Sequence, residues 1–163
     1  MSKITLTTAL LFVLSITSFG MAQNAWTGVN VGPGFAGAQA GAQGSIFQFS
    51  DTKTRVKNGQ SFGQGVAVGV GQNGVSFSHS IGANGGGLGL GHNLNMTIGR
   101  NGTHVSQGGV TSQGGNSSVQ VGGRTGQGPG RQIYGGSNAT GWGNNTRAWS
   151  NSRTQQFRPV FFR

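Results

Sequence analysis

The residues of this chain best suited to metal or proton chemistry are its three histidines, His79, His92 and His104. Neutral imidazole is a common zinc and copper ligand, so three converging rings could hold such an ion. Their spacing argues against convergence. Counted from the glycine of the preceding Asn-Gly pair, His79 stands at plus five and His104 at plus two. Odd and even offsets in equivalent strands point to opposite faces. His92 is expected in a turn. The chain has no cysteine, and Asp51 is its only acidic side chain. A single carboxylate excludes the acid pair of glycoside cleavage, and there is no GxSxG nucleophile elbow and no GxxxxGK[ST] phosphate loop. No catalytic, metal or cofactor-binding residue is assigned, and enzymatic activity is not expected.

Charge carries more information. Eleven Lys and Arg against one Asp give a formal net charge of +10. Such a chain is drawn to anionic polysaccharide, lipopolysaccharide or lipid by a salt-dependent field that needs no fixed site. No specific nucleic-acid motif accompanies it. Lys53, Arg55 and Lys57 alternate and so share one strand face, which suits an anion-binding strip or a solvated edge strand. Near the C-terminus Trp142, Arg147, Trp149, Arg153, Arg158 and Arg163 mix cations with aromatics, as interfacial segments do. These nine residues are the candidates for anionic-surface binding.

The elements that would position them are strands. From Gly65 to Val121 apolar residues recur at every second position: Val66, Val68 and Val70, then Val75 and Phe77, Leu88 and Leu90, and Leu94, Met96 and Ile98. Side chains two apart share a strand face. Ser76, Ser78 and Ser80 fall on the face opposite Val75 and Phe77, giving one apolar and one polar side. The apolar set is the candidate self-association surface. Asn-Gly pairs at 58–59, 73–74, 84–85 and 101–102 suit tight turns. GQNG, GANG, GHN and GRNG begin at intervals of 11, 9 and 8 residues, too irregular for a strict solenoid.

Residues 1–22 have the charged start, apolar run and small-residue cleavage site of a secretory signal, so the chain is expected to be secreted and extracellular. Residues 23–44 read as a Gly/Ala-rich arm, 45–122 as the β-repeat region, and 123–163 as a Gly-rich linker with a cationic aromatic tail. Glycine supplies 34 of 163 residues, about three times the ordinary share of roughly 7 %. Glycine costs entropy on ordering and buries no side chain. The expected fold is therefore all-β or β-rich and low in complexity: irregular Gly-rich hairpin or meander repeats, stacking on self-association, with disordered arms. Asn-x-Ser/Thr sequons occur at Asn95, Asn101, Asn116, Asn138 and Asn145.

Two resemblances bear on function. SQGGNSSVQVG at 112–122 resembles one Gln-Gly-Asn unit of bacterial curli fibre subunits, without their regular spacing. GVSFSHSIGANGGGLGLGHNLNMTIG, with the basic character and lack of cysteine, resembles the glycine-rich secreted defence proteins of insects, the attacins and gloverins. The near absence of acidic residues departs from those families. The first implies a secreted structural or matrix protein that self-associates through β units. The second implies a cationic antimicrobial protein acting on anionic bacterial surfaces. A third class, ice binding, would need a regular threonine row that the chain lacks.

Overall fold

The computed structural model of the protein describes residues 23–128 and 132–157. The leader expected over 1–22, and Arg158 and Arg163 of the tail, lie outside the described residues. Ten strands follow in order: β1 (Gln23–Gly32), β2 (Phe35–Gln43), β3 (Phe47–Lys57), β4 (Gln60–Gly71), β5 (Gly74–Gly85), β6 (Leu88–Gly99), β7 (Gly102–Gln113), β8 (Ser118–Gln127), β9 (Ile133–Trp142) and β10 (Asn145–Gln156). They form a four-stranded sheet in the order β2-β1-β8-β9 and a six-stranded sheet in the order β10-β7-β6-β5-β4-β3. Every pairing is antiparallel. β1 lies across β4 and β5, β8 across β5 and β6, and β9 across β7, so the sheets stack as a sandwich. The wider sheet overhangs, and its edge strands β3 and β10 are exposed along their whole length.

Turn chemistry sets the hairpins. Asn58 and Gly59 have φ of 51° and 73°, and Gly86 and Gly87 have 59° and 76°. Positive φ at both central residues is the two-residue geometry whose twist matches paired strands. The Asn-Gly pairs at 58–59, 73–74 and 101–102 fall at turns, but Asn84-Gly85 ends β5 and the turn follows it.

An irregular low-complexity repeat with disordered arms is not what forms. The supposed arm makes all of β1 and β2, and Gly123–Gln127 of the supposed linker belongs to β8. His92, expected in a turn, sits inside β6. The physical reason is that glycine here serves close approach as well as turning. A Cβ added at Gly91 would stand 2.7 Å from Val121 Cγ1 and 3.1 Å from Val110 Cγ1. At Gly63 or Gly82 it would stand 2.8 Å from Val29 Cγ1, and at Gly89 2.9 Å from Val119 Cγ1. Side chains do not pack that tightly, so the valines occupy space that only glycine leaves. Val29, Val31, Val110, Val119 and Val121 thereby form a buried cluster with Ala36, Ala38 and Ala139 against it. Each buried valine contributes about 1.5–3 kcal/mol.

Toward the 72–73 and 100–101 turns the interior becomes polar. Ser76, Ser78, Ser80, Asn93, Asn95 and Thr97 are all fully buried. Thr27 of β1 bonds Ser78 and Ser80 of β5 at 2.8 and 2.7 Å, and Thr97 of β6 bonds Thr125 of β8 at 2.7 Å. Ser78 donates to Asn95 Oδ1 at 2.6 Å. Asn93 Nδ2 donates to the Gly122 and Asn138 carbonyls, both at 2.8 Å. Apart from the Ser78–Asn95 bond, which joins β5 to β6 within one sheet, these bonds tie one sheet to the other, and each contributes about 0.5–1.5 kcal/mol net. Asn95 heads a sequon, yet its burial denies the folded chain that acceptor. His104 projects into the same interior. Its Nδ1 bonds Thr154 Oγ1 at 2.7 Å, its Nε2 is buried without a hydrogen-bond partner, and burial lowers its pKa below 6.5.

Two outcomes test this interior. Gly91→Val should lower unfolding free energy by about 1–3 kcal/mol through overpacking. Gly115→Ala, with nothing within 4 Å of the new Cβ, should leave it nearly unchanged; equal urea midpoints for the two would refute the close approach. Burial disfavours the charged form of His104 in the folded state, whereas the unfolded imidazole titrates near 6.5. Its stabilisation is therefore complete above that value and is lost as pH falls through it toward the depressed folded pKa. Urea midpoints measured from about pH 7.5 down to about pH 5 should decline, and His104→Gln should flatten the decline.

Candidate functional site

Register places most of the sequence candidates on one surface. On the outer face of the six-stranded sheet one row across the strands reads Phe47, Val70, Val75, Ile98, Thr103 and Gln155. The next reads Phe49, Val68, Phe77, Met96, Val105 and Arg153, and the next begins Asp51, Val66, His79, Leu94. All ten predicted self-association residues, including Leu88 and Leu90 nearer the other end, share this face. It is uncovered: Phe47 is 53 % exposed, Ile98 51 % and Val75 41 %. The apolar end of this face lies directly over the hydroxyl- and amide-filled interior. The sheet is apolar outside where it is polar inside.

The other end of the face is cationic. Lys53, Arg55 and Lys57 of β3 and Arg147 of β10 stand on the same side of the sheet, at opposite edges. Between them the surface is hollowed. A depression of about 600 Å³ is lined by Phe62, Ala83, Gly85, Leu88 and Leu90, with Arg55 and Lys57 beside them. Its floor is low because the outward-facing β5 residues there are only Ala83 and Gly85. A second, of about 350 Å³, lies among Leu90, His92, Gly109 and Trp149 and shares Ala83 and Leu90 with the first. A Cβ at Gly109 would meet the Trp149 indole at 2.7–2.9 Å, so the indole lies across the glycine. The His92 ring packs 6.1 Å from it, tilted by 56°.

The histidines do not converge. His104 points inward, while His79 and His92 lie outside. His79 Nε2 meets Gln64 Nε2 at 3.2 Å; burial, and then the charge of neighbouring His92, lower its pKa. Among the described residues no three His, Asp or Glu side chains gather as a metal site.

Of the predicted anion-binding residues, Lys53, Arg55, Lys57, Arg147, Trp149 and Arg153 share the outer face just described. Trp142 does not, because it ends β9 in the four-stranded sheet. In the tail, Arg147, Trp149 and Arg153 are spaced by even numbers, as one face of β10 requires. Phe47, Phe49, Phe62, Ile81 and Val105 also belong to the apolar surface and were outside the candidate set. Trp26, Arg124 and Tyr134 were also outside it and gather on the opposite sheet. Compared with protein-family models, with curated proteins and with solved structures, the chain finds no match in any of the three.

If the outer face is not the core, Val75→Thr and Ile98→Thr should each change unfolding free energy by no more than about 0.5 kcal/mol. Asn95→Ala, which strands its buried partners, should cost about 1–3 kcal/mol. The opposite ranking in urea titrations would reverse the assignment of inside and outside.

Proposed function

We propose that this protein binds anionic lipid surfaces with the outer face of its six-stranded sheet. The carrying observation is the polarity of that sheet: hydroxyls and amides inside, and outside an uncovered apolar field with Lys53, Arg55, Lys57, Arg147 and Arg153 around it. Apolar patches rimmed by polar groups mark interaction surfaces, because water pays for their exposure continuously. Charge selects the occupant. A second copy would bring its own cations against these at a net charge of +10 per chain. An anionic headgroup layer offers the complementary sign above an apolar interior. Phe47, Phe49, Phe77, Met96 and Ile98 would enter the acyl boundary, and the basic end would hold headgroups. With the leader expected over 1–22, the chain would meet such surfaces outside the cell.

Sedimentation with phosphatidylglycerol-containing vesicles tests this. Binding should exceed that to phosphatidylcholine vesicles and weaken with salt. Each cation near such a surface contributes about 1 kcal/mol, so the triple change Lys53→Gln, Arg55→Gln, Lys57→Gln should weaken partitioning about a hundredfold. Phe49→Ser with Ile98→Ser should weaken it at every salt concentration. Equal affinity for neutral vesicles would overturn the proposal. So would a dimer, seen by ultracentrifugation, that the two serines dissociate.

A further inference from the structure

The outer face of the four-stranded sheet has a different chemistry. Its cross-strand rows read Gln43, Asn24, Gly126, Tyr134; then Gly41, Trp26, Arg124, Gly136; then Gln39, Gly28, Gly122, Asn138. Glycines and amides fill nine of these twelve places, no aliphatic side chain appears in them, and two aromatic rings stand among them. Arg124 is the only cation in this sheet, and no acidic side chain belongs to it.

Glycines shape a recess around that arginine. A Cβ at Gly41 would overlap the Trp26 indole, so the ring lies back across Gly41 on the side away from Arg124. Across β8, the Tyr134 hydroxyl would be 2.8 Å from a Cβ at Gly126, and Asn138 Oδ1 3.3 Å from one at Gly122. These two side chains of β9 thus lean over β8 on either side of Arg124. Between them Gly136 has nothing within 4 Å of the place a Cβ would take. The result is an open depression of about 550 Å³ lined by Trp26, Arg124, Tyr134, Gly136 and Asn138. Trp26 and Tyr134 remain 38 % and 37 % exposed, enough to offer ring surface to a ligand.

We infer that this recess binds an acidic sugar, a pyranose bearing a carboxylate, as found in uronate-containing polysaccharide. The guanidinium offers a planar fork that matches a carboxylate. Tyr134 and Asn138 present a hydroxyl and an amide to ring hydroxyls, and the aromatic rings take the C–H face of the sugar. The space over Gly136 receives the ring. This site is separate from the lipid-binding face, on the other side of the sandwich.

The test is calorimetric titration of the full chain with oligogalacturonate and with its methyl ester. The acid should bind at least tenfold more tightly than the ester. Arg124→Gln should remove that preference, while Trp26→Ala should weaken both ligands. Gly136→Leu should block both with unchanged circular dichroism, because its side chain enters open space. Vesicle binding should be unaffected by any of the three, which separates this inference from the previous one. No binding, equal binding of acid and ester, or loss of binding in the Lys53, Arg55, Lys57 triple variant as complete as in Arg124→Gln would overturn it.

Discussion

Valine methyls of β1 and β8 meet inward glycines of β4, β5 and β6 at separations, 2.7–2.9 Å from an imagined Cβ, that no other residue could accept. This close approach governs the sandwich. At Gly69 even the opposing backbone is near, with the Asn24 carbonyl 2.5 Å from the Cβ position and so no room for a methyl. Interiors are packed nearly as densely as crystals, so a sheet bared of side chains must draw its partner in until atoms touch. The entropy that glycine loses on folding is offset by contacts along both sheets rather than by large buried side chains.

The same narrow interior explains why the core is half polar. Between the closely set sheets Val, Ser, Thr and Asn fill most of the space, with His104, Gln23 and Gln127 the largest fully buried side chains, while the Phe, Leu and Met side chains of β4, β5 and β6 lie outside. Short hydroxyls and amides reach across and satisfy each other, as Thr27 does with Ser78 and Ser80. A buried polar group costs little once it is paired and much when it is not. Larger apolar residues on alternate positions are then forced outward by strand geometry. The uncovered face of the six-stranded sheet thus follows from the packing rule of the interior.

Strand periodicity was legible from Gly65 to Val121: a period of two fixes the face within each strand, and the register set by the short turns carries all ten apolar candidates to one face. The basic strip 53–57 was legible for the same reason. Long-range pairing was not. Nothing local in AWTGVNVG announces a partner in SVQVGGRTG, roughly a hundred residues later, and the pairing of β1 with β8 holds only through the assembled sandwich. Glycine caused the other errors. At Asn58-Gly59 it marks a turn, but in GLGLGHN it marks the depth of a groove, and the two uses look alike along the chain. Alternation also left the burial side open. Ordinary experience puts valine inside and serine outside, whereas here Ser76 is fully buried and Val75 is 41 % exposed.

The two outer faces diverge because the two sheets are hollowed differently. In the six-stranded sheet most glycines point inward, so its outer side keeps Val, Phe, Leu and Met in nearly unbroken rows. In the four-stranded sheet Gly28, Gly41, Gly122, Gly126 and Gly136 lie on the outer side, opposite the valines that fill the interior. Their absence of side chains gives that face recesses between amides and rings, a form suited to small polar ligands. A flat apolar field suits an extended surface, and a pitted polar one suits a discrete ring. One residue type, turned inward in one sheet and outward in the other, therefore sets both the spacing of the sandwich and the kind of partner each side can hold.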